Sequence, residues 1–311
     1  MEKDSRIIIT GNTGLIGQAL TSSLRSHGYN NLIGINTKNC DLTNYEKTLE
    51  FFNNNRGDYV FHLAALVYGI MGNMKNKAIS FLDNIQINTN VIEASHQIGV
   101  KKITAMGSGC VYPYPSPGLP LKESMIWQGK PHEAEDSYAQ AKRAMYAQLM
   151  AYRESYNMKY AFVISANLFG PGDKFENLFG HVVPSLIRKF DDAFLSGGRV
   201  NVWGNGSARR DFMYSDDMAE ALIVIMKEVE GPVNVGSGNV SSIKEIVNYL
   251  ADFLNLSDRI DWDLEKPNGQ DYREYDLSLL RGTGFIASNS LKDGLKETLQ
   301  WFINNRDIAR K

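Results

Sequence analysis

The sequence predicts an α/β protein, a doubly wound parallel sheet with a smaller α/β lobe interleaved toward its carboxyl end. Three observations predict it. Short β-rich runs alternate with helical patterns through the first half of the chain, as parallel β-α-β units do. The first of these runs ends in three glycines spaced three apart and then a helical stretch. After Asn167 the alternation loosens, and glycine, proline and aromatic residues cluster in NLFGPGDKFENLFGHVVP.

Taken in order, residues 6–10 (RIIIT) read as a strand, 17–27 as a helix, 31–35 as a strand and 44–54 as a helix. Residues 59–64 read as a strand, 84–98 as a long helix and 102–106 as a strand. A helix over 137–155 leads into a strand over 160–164. Beyond it, helices are expected at 181–192, 215–228, 242–254 and 291–305, and 232–236 reads as a strand returning to the sheet edge. Residues 1–165, with 211–238 returning to them, are therefore expected to form one domain and 166–311 a second lobe. No internal repeat is visible.

Composition narrows the function. The chain has 311 residues, 43% of them hydrophobic and 22% charged, as in an ordinary globular protein. Its formal net charge of −2 gives no global attraction to nucleic acid or to a membrane surface. Cys40 and Cys110 are far apart and in no metal-ligand spacing, which argues for a reducing compartment and against a disulfide framework. The opening MEKDSRIIIT lacks a long apolar core, and no stretch approaches a membrane span. A cytoplasmic location is expected, with no metal, nucleic-acid or membrane partner.

The glycines Gly11, Gly14 and Gly17 follow the first strand in TGNTGLIGQAL. Glycine there permits a tight turn and lets the backbone approach a pyrophosphate at the positive helix N-terminus. A glycine triplet alone is weak, and a ligand-free strand-to-helix turn is its plain alternative. Its place at the first β-α unit favours a dinucleotide. The end of the second strand decides which one. An acidic residue there would bind a ribose 2′-hydroxyl, but this chain has Asn36, Thr37 and Lys38. Two hydrogen-bonding groups and a cation suit a 2′-phosphate, so NADP(H) is expected. Lys38 as a solvated surface lysine is the competing reading. Asp41, just beyond, would suit the adenine amino group.

Tyr138 and Lys142 stand four apart in YAQAK, on one face of a predicted helix. With 15 tyrosines in the chain, roughly one such pair arises by chance, so position carries the weight. The pair follows the fourth strand, whose carboxyl end leads to Ser108 in MGSGCVYP. Delivering hydride to a ketone builds an alkoxide that must take a proton. A free phenol titrates near 10, and a neighbouring ammonium brings it toward the working range. Ser108 would hold the carbonyl oxygen in line; a strand-end serine is its alternative.

Together with TGNTGLIG, GSGCVYP and YAQAK, the stretches HLAALVYGIMGN, NLFGPGDKF, HVVPSLIRKF, VWGNGSARRDFMYSDD and KPNGQ resemble the GDP-L-fucose synthase family of extended short-chain dehydrogenase/reductases. The resemblance spans essentially the whole chain. It implies a Rossmann-type fold, NADP(H), a GDP-4-keto sugar as substrate, and a homodimer. It implies C3/C5 inversion followed by C4 reduction, with Cys110 and His181 as the base and acid of the inversion. It implies cofactor contacts at Asn12, Thr13, Leu15 and Ile16 of the turn, Leu42, and Leu63, Ala64 and Ala65 after the third strand. Tyr138, Lys142, Asn167, Leu168 and His181 complete that set. Substrate contacts are implied at Ser108, Asn167, Lys189, Trp203 and Arg210.

Departures from the family pattern concern the sugar. Tyr68-Gly69 replaces paired glycines and puts a phenol near the expected pocket; Ser165-Ala166-Asn167 replaces Pro-Thr-Asn. Gly172 and Lys174 replace a histidine and an asparagine, and Asn268, also an expected substrate contact, replaces an acidic residue. Pocket groups discriminate strongly between sugars, so a heptose is as consistent as a 6-deoxyhexose. Four enzyme readings remain at this stage: an epimerase-reductase, a reductase alone, a 4-epimerase and a 4,6-dehydratase. A dehydratase is expected to carry an acidic pair where Gly109 and Cys110 stand. A non-catalytic NADP-binding regulator would typically lack Tyr138 or Lys142.

Overall fold

The computed structural model describes residues 1–176, 180–266 and 270–310. The first half alternates as the patterning requires: β1 (Ile7–Thr10), α1 (Leu15–Ser26), β2 (Leu32–Ile35), α2 (Tyr45–Asn55), β3 (Tyr59–His62), α3 (Ile70–Lys75), α4 (Lys77–Gln97), β4 (Lys102–Met106), α5 (Asp136–Tyr156) and β5 (Tyr160–Ser165). The second half adds β6 (Asn167–Phe169), α6 (Val182–Ser196), β7 (Val200–Trp203), β8 (Arg209–Tyr214), α7 (Ser215–Glu228), β9 (Gly231–Val235), β10 (Val240–Ser242), α8 (Ile243–Leu254), β11 (Ile260–Asp263), α9 (Ser278–Gly282) and α10 (Leu291–Asn304).

Six parallel strands form the main sheet in the order β2-β1-β3-β4-β5-β9. Side chains alternate along a strand, so each strand feeds two cores. Ile8, Val60, Ile103 and Phe162 face the layer of α2, α4 and α5. Ile7, Ile9, Phe61 and Val163 face α1 and α7. Burial on both faces explains the continuous apolar runs. The stretch at 232–236 does return to the edge, as β9 beside β5.

The smaller lobe holds the sheets β10-β8-β6 and β11-β7. A third core of Phe169, Phe190, Leu250 and Phe302 lies among α6, α8 and α10. At the start of α8, Ser242 Oγ accepts from Glu245 N (3.1 Å) while Glu245 accepts from Ser242 N (2.7 Å), a closed capping box.

Two sequence expectations need correction. Helix α4 begins at Lys77, seven residues before the expected start. Its inward face carries Ser80, Asn84 and Asn88, so the apolar period that marks a helix is hidden there. Asn84 is satisfied by donating to the carbonyls of Leu66 (2.9 Å) and Ser80 (2.7 Å). Strands β6, β7, β8, β10 and β11 and the short helices α3 and α9 are not among the expected elements; each of those strands pairs only with a distant segment.

The chain leaves β1 outward to β2 and crosses back to β3, which opens a crevice beyond the carboxyl ends of β1 and β3. Its floor is tied by Thr10 Oγ1, which accepts from Leu63 N and Ala64 N, each at 3.1 Å. His62 Nδ1 lies 2.8 Å from that hydroxyl and Nε2 lies 3.0 Å from Asn88 Oδ1. Burial, reinforced by Lys142, lowers His62 to about 3. An unfolded histidine takes up its proton near pH 6.5, so the stability His62 contributes is complete above that pH and is lost as pH falls toward 3. Chemical denaturation between pH 7 and 4 should therefore show a loss that His62→Gln flattens; an unchanged slope would contradict this.

Candidate active site

The glycine turn is built for close approach. Gly11 has φ +71, and its N–H donates to Ile35 O at 2.7 Å. A Cβ on Gly11 would stand 3.0 Å from the Ala64 backbone, across the crevice. A Cβ on Gly17 would meet Gly11 O at 2.2 Å. Gly14 caps α1 without a side-chain bond, and the first turn carries no acidic residue. The first amides of α1 and its dipole therefore present an uncountered positive end.

Behind the turn, Asn12 lies over β2 at Gly34, where a Cβ would come within 2.2 Å of its amide nitrogen. Asn36 Nδ2 donates to Asn12 Oδ1 at 3.3 Å. Gly34 and Asn36 thus shape the turn without a motif of their own. Residues 36–39 close on themselves: Asn36 N donates to Asn39 Oδ1 (2.9 Å), and Lys38 N to Asn36 Oδ1 (3.0 Å). This leaves Thr37 and Lys38 exposed. Asp41 Oδ1 accepts from Thr43 N and Oγ1, which holds its carboxyl below the usual range. Buried Leu42 accepts from Asn90 Nδ2 at 2.9 Å.

Ser108, Cys110, Tyr138 and Lys142 come together where β4 ends and α5 begins. Ser108 Oγ accepts from Cys110 N at 3.4 Å and opens a single 3₁₀ turn. Cys110 packs with Tyr138 and Ala139, and Ala65 lies against them. Lys142, 2% exposed, donates from Nζ to Met106 O at 2.8 Å. The same Nζ stands 5.7 Å from the centroid of the Tyr138 ring. Burial lowers Lys142 to about 8. Burial, then Cys110 and Glu135, pushes the Tyr138 phenol up, so within the chain alone the ammonium does not bring it down as the sequence suggested. A neutral phenol is the form that donates a proton. Burial and Glu135 push the Cys110 thiol up to about 12, against Ser108, Arg273 and Lys142.

The second lobe supplies further groups. His181 is the N-cap residue of α6, with an exposed side chain, and is electrostatically coupled to Asp173. Lys189 Nζ donates to Asn201 O (3.0 Å) and stands 5.3 Å from the Trp203 ring centroid; burial lowers it. Arg210 donates to the carbonyls of Arg209 (2.7 Å) and Gln270, and burial with Arg273 lowers it to about 10. Asn167 and Leu168 pair with Phe212 and Met213 in β8. Tyr68 is half-buried against Gly72. Asn268 lies outside the described residues.

Several groups at the site carry no motif signal. Glu135 precedes α5 and is 3.8 Å from Arg273 Nη2, which also donates to Gln270 Oε1 at 2.7 Å. Gln270 Nε2 donates to Glu135 at 3.3 Å. The Tyr275 hydroxyl presses so closely on Gly109 that a Cβ there would sit 1.9 Å away. These contacts clamp residues 270–275 of the lobe onto the Cys110 turn. Gln270, Arg273 and Tyr275 lie 135 positions or more from Glu135 and from that turn, which hides these contacts from any local pattern.

The chain is similar to known proteins over nearly its whole length. The model of the NAD dependent epimerase/dehydratase family matches residues 7–236. GDP-L-fucose synthase 1 of Arabidopsis thaliana is 34% identical over 98% of this chain and 95% of its own length. A Naegleria fowleri GDP-L-fucose synthetase structure superposes with a TM-score of 0.93 at 30% identity, covering 100% of this chain and 97% of that one. MlghC, the GDP-mannoheptose C4 reductase of Campylobacter jejuni with NADP bound, gives 0.88 at 30% identity over 97% and 99%. The resemblance read from the motifs and the Rossmann-type fold are thus borne out, and the chain belongs to the NAD dependent epimerase/dehydratase family.

Proposed function

We propose that the chain reduces the C4 ketone of a GDP-4-keto sugar, a 6-deoxyhexose or a heptose, with NADPH. The observation that carries this is the Lys142 ammonium, held on the Met106 carbonyl and set 5.7 Å from the Tyr138 ring centroid. Residues 1–165 with 211–238 form the NADP-binding part in this reading, and 166–311 the nucleotide-sugar lobe. The Gly11–Gly14–Gly17 turn, where a Cβ would fill the cradle, fits the pyrophosphate, and Thr37 and Lys38 fit the 2′-phosphate. Asp41 and Leu42 would border the adenine, with Leu63, Ala64, Ala65, Asn167 and Leu168 along the rest of the dinucleotide. When bound, NADPH supplies the hydride.

The chain's own residues do the remaining work. Ser108 donates to the C4 oxygen and orients it. Tyr138 gives that oxygen its proton as charge develops, and Lys142 stabilises the phenolate left behind. Lys189 and Arg210 would bind the diphosphate, Trp203 the guanine, and Tyr68 and Asn268 the sugar. Cys110 and His181 serve as base and acid for inversion at C3 and C5, whose protons are acidified by the adjacent ketone. A second reading is reduction alone. It is favoured by the burial that raises the Cys110 thiol to about 12. A cytoplasmic homodimer serving surface-polysaccharide precursor synthesis rests on the resemblance, and light scattering tests the dimer.

Turnover of GDP-4-keto sugars with NADPH in deuterated water tests the whole reading. Reduced-nicotinamide absorbance should fall with substrate, and product should carry deuterium at C3 or C5 with inverted configuration. Reduction without deuterium selects the second reading, and no nicotinamide oxidation with any such sugar sinks both.

A further inference from the structure

Helix α5 carries a second buried cation immediately after Lys142. Arg143 is 6% exposed. Its Nε donates to Val111 O at 2.8 Å and its Nη1 to Gly129 O at 2.9 Å. Its Nη2 is buried with no hydrogen-bond partner among the described residues. The guanidinium carbon stands 5.7 Å from the Trp127 ring centroid, and Trp127 is stacked in turn on Tyr146 at 5.9 Å. Taking a guanidinium out of water is costly, and carbonyl partners offset less of that cost than a carboxylate would. Burial accordingly lowers Arg143 from its usual value, with Cys110 acting the other way. A well-packed apolar side chain would often be no less stable in such a place, so the use of the arginine lies in what it holds.

It holds the far end of the catalytic turn. Val111 is the last residue of the 3₁₀ turn that Ser108 opens. Val111 N donates to Ser108 O at 3.1 Å, so the turn is closed and its end moves with its start. At the near end, Lys142 holds Met106 O at 2.8 Å. Consecutive residues of one helix therefore grip both ends of the segment that carries Ser108 and Cys110, and Tyr138 stands on the same helix. Successive side chains on a helix point about 100° apart, which lets one reach the strand end and the other the end of the turn.

We propose that Arg143 is a positioning residue for the C4 reduction, fixing the Val111 carbonyl so that the turn bearing Ser108 and Cys110 stays in place against Tyr138. The inference rests on the proposed roles of those three residues. Arg143 acts through the turn and not on the reacting atoms. A guanidinium suits the task because its planar fork bridges carbonyls of two separate segments, at 111 and 129, in one fixed geometry. Lysine is a point charge on a flexible stem and lacks that fork.

The test compares Arg143→Gln and Arg143→Lys, in the full-length chain, with Arg306→Gln. Arg306 donates to Asp191 at 2.8 and 2.6 Å in the smaller lobe, so its loss controls for stability alone. Arg143→Gln should lower kcat for C4 reduction about ten- to a hundredfold, as misplaced groups do, with NADPH affinity little changed. Arg143→Lys should recover part of kcat, and Arg306→Gln should leave it near wild type. A second readout needs no turnover. A Cys40→Ser background leaves Cys110, 4% exposed, as the one thiol of the chain. Iodoacetamide should alkylate it about tenfold faster in Arg143→Gln, where the turn opens locally, and no faster in Arg306→Gln. Should glutamine not fold, Arg143→Lys carries both measurements. Unchanged kcat and alkylation in Arg143→Gln overturn the proposal, as do equal effects from Arg306→Gln. A wild type that oxidises no NADPH with any GDP-4-keto sugar defeats the reading of the reaction instead. The alkylation rates then decide Arg143 alone: faster labelling keeps the turn's dependence on it, and equal rates end it.

Discussion

Replacing Tyr138 with phenylalanine should lower kcat for C4 reduction by about 10²–10⁴ while NADPH affinity changes little. The ring packs between Cys110 and Ala139, and phenylalanine preserves that contact. Only the hydroxyl that would protonate the developing alkoxide is lost. The pH profile provides a second check on the same pair. Lys142 sits at about 8 because it is buried, so its ammonium is present below that pH and lost as pH rises through it. Turnover should be level below this value and decline above it. Steady-state kinetics by nicotinamide absorbance would measure both, and a Tyr138→Phe enzyme within a few fold of wild type would remove Tyr138 as proton donor.

Gly17→Val should weaken NADPH binding by about ten- to a hundredfold and lower the melting temperature. The added Cβ would stand 2.2 Å from Gly11 O and 2.6 Å from Asn12 Cα. Both are backbone atoms, unable to swing aside as a side chain does. Overpacking of this kind costs about 1–3 kcal/mol, which converts to that range of affinity. Gly282→Ala is the matched control, since a Cβ there meets nothing within 4 Å. Calorimetric titration with NADPH separates the two, and equal affinities would show that the turn does not hold the pyrophosphate.

The glycine turn and the Tyr138–Lys142 pair were legible because one element carries all their members. A strand-to-helix turn places Gly11, Gly14 and Gly17 on one cradle, and a helix places residues four apart on one face. The alternating apolar runs announced the parallel sheet for a similar reason, since each strand is buried on both sides whatever its neighbours are.

Helix α4 shows where such reading stops. Its inner face is polar, and Asn84 and Asn88 are tolerated only because Leu66, Ser80, His62 and Ala141 meet their hydrogen bonds. The contacts of Gln270 and Arg273 with Glu135, and of Tyr275 with Gly109, likewise depend on where separate segments meet. Sequence by itself determined the fold class, the dinucleotide turn and the tyrosine–lysine pair, because covalent spacing within one regular element dictates their geometry. Only the tertiary structure decided that Lys142 is buried on a carbonyl, that the Cys110 thiol is raised, and that Asp173 is buried. Burial and electrostatic coupling belong to the packed chain, and no local pattern encodes them.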